Sequence, residues 1–269
     1  YDAPASRIAK LENGVQTERG GTPGSFTSWT APTPVAAAAS WDADDVVGED
    51  GASVTAWAST DGTKSTTTAV SGKAAPKLAK NAIGGHAAIH FTSASKTALG
   101  LAKGDSPLSG KTSFTAAIVW RKTEKTPSGA TLNQPMAFLS SLQSSGTQPY
   151  FVLGPVSEDA VCAVYGNETK DLSIQVRKPC HLADGEPHFT IFSCDGSGKT
   201  YKLMTDGVFF EGSLSKVSER GAFDVLIGAC RKGGTTESVF FDGDIAAVRL
   251  YGQALTKAQM RDLGEFWAK

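Results

Sequence analysis

F-F-D-G-D-I-A-A-V-R-L-Y at 240–251, followed by G-Q-A-L-T-K-A-Q-M-R-D-L at 252–263, is the stretch whose reading decides the fold. Asp242-Gly243 is a turn signal, and the residues after it alternate as a strand does. Ala246, Val248 and Leu250 fall on one face, with Ile245, Ala247, Arg249 and Tyr251 on the other. A short helix follows. Thr256 has the chemistry of an N-cap, Gln259 stands three residues on as in a capping box, and Leu255 is placed to staple against Met260. Met260, Leu263 and Trp267 recur at helical spacing, giving one apolar stripe to lay on a sheet.

Upstream, the chain reads as strands and turns. Phe114, Ala116, Ile118 and Trp120 alternate with Thr115, Ala117, Val119 and Arg121. Runs at 150–153, 161–164 and 172–176 are rich in β-branched and aromatic residues. A strand at 188–194 runs into Asp195-Gly196, and one at 200–205 runs into Asp206-Gly207, two hairpin signals in succession. A further strand is expected at 223–228. Many short strands, frequent glycine turns and a single terminal helix predict an all-β fold of two packed antiparallel sheets. The first 34 residues differ: glycine, proline and alanine cluster there, as in an extended lead-in or linker. Residues 7–11 are expected to make at most one helical turn, and 35–41 the first strand, at the sandwich edge.

The order of these pieces resembles the laminin-G-like domains of the concanavalin A-like lectin/glucanase superfamily, in their bacterial branch. The terminal strand, corner and helix carry the resemblance. So do W-D-A-D-D from Trp41, D-G-A-S-V-T-A-W from Asp50 and A-P-K-L-A-K-N-A-I-G-G-H-A-A-I-H-F from Ala75. S-F-T-A-A-I-V-W-R from Ser113, D-G-E-P-H-F-T-I-F from Asp184 and Y-K-L-M-T-D-G-V from Tyr201 follow in the family's order. The resemblance implies a concanavalin A-like jelly-roll β-sandwich over residues 35–269 with a short C-terminal helix. Function does not follow from it, because this sandwich carries lectins, accessory modules, adhesion domains and hydrolases.

Composition narrows the classes. A hydrophobic content of 40% suits a chain that buries a core, and a net charge of -1 leaves no basic footprint for nucleic acid. No apolar run approaches the roughly 18 residues of a membrane span. Tyr1 is not an initiator methionine, so a processed or excised form is expected, in a secreted or surface setting. The four cysteines, Cys162, Cys180, Cys194 and Cys230, include no C-x-x-C pair. They are either buried thiols or disulfides. Cys162 with Cys180 is the preferred pair in an exported protein, and Cys194 with Cys230 is the other.

Catalytic patterns are thin. Retaining glycosidases of the superfamily set paired acids on one strand, about 5–5.5 Å apart. Here the nearest approaches, Glu49-Asp50, Glu158-Asp159 and Asp242-Gly-Asp244, sit at expected turns. His86 and His90 fall four apart on an expected strand, a spacing of roughly 13 Å that serves no single ion. No nucleophile elbow or phosphate-cradling loop is present.

Calcium is the metal the resemblance implies, on two groups of hard oxygen ligands: Asp42, Asp44 and Asp45, and Asp242 with Asp244. Ordinary turn chemistry of aspartate is the competing account. For glycan contact the candidates are Tyr165 and Asn167 in V-Y-G-N-E-T-K-D, Tyr150, Arg177 and Arg231, with Trp29 and Trp120 as further stacking surfaces. Trp41, Trp57 and Trp120 are expected in the core. The sequence thus reads as a carbohydrate-binding or accessory module without catalysis. A protein-adhesion domain with a protein partner is one alternative, and a glycan-cleaving enzyme another.

Overall fold

A computed structural model describes residues 8–12, 15–20, 35–60, 65–101, 105–122, 139–142, 150–157, 160–166, 172–177, 185–214, 224–231 and 237–267. Its strands form two large antiparallel sheets packed face to face. The first runs in the order β16 (Val208–Ser213), β15 (Thr200–Thr205), β14 (Pro187–Asp195), β9 (Phe114–Lys122), β20 (Gly243–Tyr251), β7 (His86–Phe91) and β6 (Lys77–Ile83). β3 (Ala39–Asp42) also pairs with β20, on the side that β7 occupies farther along. The second is ordered β13 (Leu172–Arg177), β12 (Ala160–Gly166), β11 (Tyr150–Ser157), β10 (Leu139–Leu142), β17 (Asp224–Ile227), β8 (Leu99–Leu101), β5 (Thr67–Ala69) and β4 (Ala56–Trp57). Two hairpins complete the strands: β1 (Ile8–Glu12) with β2 (Val15–Gly20), and β18 (Ala229–Arg231) with β19 (Glu237–Phe240). The chain is therefore the two-sheet β-sandwich with a short C-terminal helix, α1 (Lys257–Trp267), that the patterning predicts.

Two expectations near the N-terminus change. Residues 8–12 pair as a strand rather than turning as a helix. β3 begins at Ala39 rather than at residue 35, and β20 is its one strand partner among the described residues, so it borders the sheet there.

β20 shows why the fold closes on both faces. All nine of its residues are buried, so the simple alternation of one wet and one dry face does not hold. Ile245 stands opposite Trp120 and Ala247 opposite Val119, which leaves Ala246 as the extra residue of a bulge. The one-residue shift puts Ile245 with Val248 and Leu250 in the core between the sheets. Ala246, Ala247 and Tyr251 line a second core beneath α1. Arg249, also on that side, holds its guanidinium 5.6 Å over the Trp267 ring.

The helix start is built as its sequence indicates. Gln259 Oε1 accepts from the Thr256 N–H at 2.9 Å, and Thr256 Oγ1 accepts from the Gln259 N–H at 3.3 Å, a reciprocal capping box. Leu255, Met260, Leu263 and Trp267 enter the second core together. The hydroxyls of Thr115 and Ser193 both accept from the Leu255 N–H, at 3.0 and 2.9 Å, and tie the corner to β9 and β14. In the Asp206-Gly207 turn both residues have positive φ, 48° and 82°, as a two-residue type I′ hairpin requires.

Trp41 and Trp57 are core residues, and each satisfies its indole N–H internally, on the carbonyls of Ser65 and Asp42. Cys194 is a buried thiol that donates to the Thr112 carbonyl, and Cys230 is buried on β18. Cys180 lies outside the described residues.

Gly228, between β17 and β18, has φ of 81°, and a β-carbon there would overlap the buried Phe91 ring. Gly228→Ala should therefore destabilise by about 2–4 kcal/mol, since backbone strain and overpacking act together. A thermal melt checks it.

Candidate functional site

The second sheet carries a polar row at its edge. L-S-I-Q-V-R, residues 172–177, alternates apolar and polar without exception, and this segment is the edge strand β13. Directly opposite residues of antiparallel strands share a face, so the register sorts the sheet into rows. One row runs Leu101, Val225, Ser141, Phe151, Tyr165, Leu172, and the next runs Leu99, Ile227, Leu139, Leu153, Ala163, Ile174. Leu101, Val225, Leu99, Ile227 and Leu153 are buried between the sheets, which identifies this as the inward face. Ser173, Gln175 and Arg177 fall on the outward face. Apolar residues of β13 thus register with the core and polar ones with the outside.

The outward face is not bare along its whole width. Leu226, in the outward row with Gly100 and Ser140, is only 1% exposed, and Gly154 is buried. The polar row lies four strands from Leu226, at the far edge.

The sequence-derived ligand residues are not brought together as one group. Tyr165 lies within β12, not in a loop, and registers between Phe151 and Leu172 in the inward row. Arg177 registers opposite Ala160, on the other face. Tyr165 and Arg177 thus stand at opposite ends of the β12–β13 ladder, five residues or roughly 17 Å apart along β13. Tyr150 registers opposite Gly166 and does share the outward face with Arg177. The two stand at opposite ends of β12, six residues or roughly 20 Å apart. Arg231 ends β18, in a separate hairpin. Asn167 and Trp29 lie outside the described residues. Trp120 is fully buried, with its indole N–H on Thr190 Oγ1 at 3.1 Å, and presents no stacking face. Ser173 and Gln175 complete the row that Arg177 belongs to. The strict period-two pattern of 172–177 was the signal for them.

The aspartates proposed for calcium already have partners. Asp42 Oδ1 accepts from the Asp44 N–H at 3.1 Å, capping a turn of 3-10 helix at Ala43–Asp45. Asp44 accepts from the Ala87 N–H at 2.7 Å and from His86 Nδ1 at 2.5 Å. Asp242 accepts from the Ser93 N–H at 2.5 Å. Asp244, 1% exposed, takes Arg121 Nε and Nη2 on one oxygen and His90 Nδ1 on the other. Calcium needs six to eight oxygen ligands, and nitrogen donors face these carboxylates instead. Among the described residues no three His, Cys, Asp or Glu side chains stand together to hold a metal. Calcium does not fit these residues. Chelator should accordingly leave the melting temperature within about 1 °C, whereas a bound ion would stabilise by mass action and its removal would lower it by several degrees.

Two groups here titrate abnormally. Burial pushes the Asp42 carboxyl up to about 7, against the hydrogen bond from the Asp44 N–H and the charge of Arg249, which pull it down. The hydrogen bond to Asp244 raises the pKa of His90, against the opposing effect of burial. Of the acidic pairs, Glu158-Asp159 lies outside the described residues. Asp50 accepts the Lys80 N–H at 2.9 Å, and exposed Glu49 stands 3.9 Å from Lys80 Nζ.

No protein-family model and no curated protein sequence matches the chain. Solved structures do. Domain 4 of AbnA, a GH43 extracellular arabinanase from Geobacillus stearothermophilus, in complex with arabinotriose, superposes with a TM-score of 0.61 at 16% identity, covering 85% of this chain and 98% of that one. Botulinum neurotoxin type C, whose cell entry depends on interaction with two ganglioside molecules, matches with a TM-score of 0.61 at 10% identity. That match covers 86% of this chain and 51% of the neurotoxin chain. The serotype D/C VPI 5993 binding domain matches at 9% identity with the same score. At these identities the likeness establishes a shared β-sandwich fold.

Proposed function

We propose that this chain is a non-catalytic carbohydrate-binding module, acting outside the cell as part of a larger protein, and that it meets its ligand along the outward row of β13. The observation that carries the reading is that row: Ser173, Gln175 and Arg177 alternate with core-facing residues on the edge strand of the second sheet. A hydroxyl, an amide and a guanidinium in line supply donors and acceptors for sugar hydroxyls. Tyr150 registers at the other end of β12, roughly 20 Å from Arg177, so the strand pair is long enough for an extended oligosaccharide rather than a single sugar. The shared fold with an arabinotriose-bound domain supports the ligand class. An open row makes few contacts per sugar, and affinity should fall in the millimolar to micromolar range, roughly 4–8 kcal/mol.

A panel of immobilised polysaccharides tests the reading. At least one should retain the wild type, and Arg177→Ala with Gln175→Ala should lower retention about tenfold while the melting temperature stays within a degree or two, as surface substitutions do. Retention by none would move the chain toward a laminin-G-type protein-adhesion role. Release of reducing ends from any polysaccharide would make it an enzyme.

A further inference from the structure

The opposite side of the sandwich holds a charged group that the glycan row does not use. Lys77, His90, Asp244 and Arg121 register across β6, β7, β20 and β9 in one line. Their sequence neighbours Leu78, Ile89, Ile245 and Trp120 face the core between the sheets, so the line lies on the outward face of the first sheet. Burying Asp244 is costly unless its charge is compensated, and here each oxygen is engaged. One binds Arg121 through Nε at 3.0 Å and Nη2 at 2.5 Å, and the other binds His90 Nδ1 at 2.8 Å. The buried carboxylate thereby fixes a guanidinium and an imidazole side by side.

Both fixed groups still reach the surface. The side chains of Arg121 and His90 are 29% and 38% exposed. Asp244 engages Nε and one Nη2 proton of the guanidinium and Nδ1 of the imidazole, so it does not itself take up Nη1, the second Nη2 proton or Nε2. An Arg end with two parallel N–H groups matches a carboxylate bidentately. Lys77, exposed on the next strand, adds a positive charge, with its Nζ on Ser53 Oγ at 2.7 Å. The charges are mixed: Lys77, Arg121 and, when it carries its second proton, His90 stand against Asp242 and Asp244. Such a balance favours a weakly held, directionally bonded anion over indiscriminate binding of polyanions.

We propose that Arg121 and His90, with Lys77 beside them, form a second ligand site that takes the carboxylate of an acidic sugar. It lies on the other sheet from the Ser173, Gln175 and Arg177 row, and its sugar class rests on the carbohydrate-binding reading. Calorimetric titration of the whole chain with oligogalacturonate, an uncharged galacto-oligosaccharide of equal length and inorganic sulfate tests it. The acidic oligosaccharide should bind at least tenfold more tightly than the uncharged one and than sulfate. Arg121→Lys, which keeps a cation for Asp244 but loses the fork, should weaken that binding about tenfold. Lys77→Gln, an exposed change, should weaken it severalfold and serves if Arg121→Lys fails to fold. Equal affinity for acidic and uncharged ligands, or wild-type affinity in the Arg121 and Lys77 variants, would overturn the site. So would sulfate binding as tightly as the oligosaccharide, which would reduce it to general attraction of anions.

Discussion

Trp267→Ala should destabilise the protein by about 3–5 kcal/mol and lower the melting temperature by roughly 10 °C. The expectation follows from position. Trp267 is fully buried at the end of α1, with Met260 and Leu263 on the same stripe, and its ring lies under the Arg249 guanidinium. Truncation removes the largest apolar side chain of the second core. A melting curve superimposable on the wild type would mean that the helix does not pack as described.

Asp42 sets the second large effect, and its sign is opposite to that of most aspartates. Its ordinary value is 3.8, and in the folded protein it stands at about 7 because burial penalises the charged form. Below pH 4 both states bind the proton, and the group costs nothing. Between about 4 and 7 the unfolded chain ionises while the folded one does not, so stability falls as pH rises. Above 7 the loss is complete and constant, on the order of 4 kcal/mol. Asp42→Asn keeps an oxygen to accept the Asp44 N–H and cannot ionise. It should therefore be more stable than the wild type at pH 8, and the advantage should vanish at pH 4. Denaturant titrations of both proteins at pH 4, 5.5 and 8 decide this, and parallel pH dependences would refute it.

What the sequence makes legible is what local chemistry determines. The Asp206-Gly207 turn, the Thr256 and Gln259 capping box and the stripe of Met260, Leu263 and Trp267 depend on residues within a few positions of each other, and all stand where the pattern puts them. The bulge in β20 does not show in D-I-A-A-V-R-L-Y, because it is fixed by which residues of β9 lie opposite. The aspartates mislead for the same reason. They cluster in sequence, yet three of them turn to distant partners: Asp44 to His86, 42 residues away, Asp242 to Ser93, 149 away, and Asp244 to His90, 154 away. Tyr165 and Arg177 look like one loop-end site when read along the chain. Register sets them at opposite ends of the β12–β13 ladder. The polar alternation of 172–177 is plain in the letters, but its meaning comes from β13 being the sheet's edge, which no local pattern reveals.

The central claim is that a glycan binds along the outward row of β13. Titrating the isotope-labelled protein with a polysaccharide fragment that it retains, and following backbone amide shifts, tests this directly. The largest shifts should fall on Ser173, Gln175 and Arg177 and on the facing β12 positions, with β14 and α1 unmoved. Shifts confined to any other part of the sandwich, with β13 silent, would contradict the account.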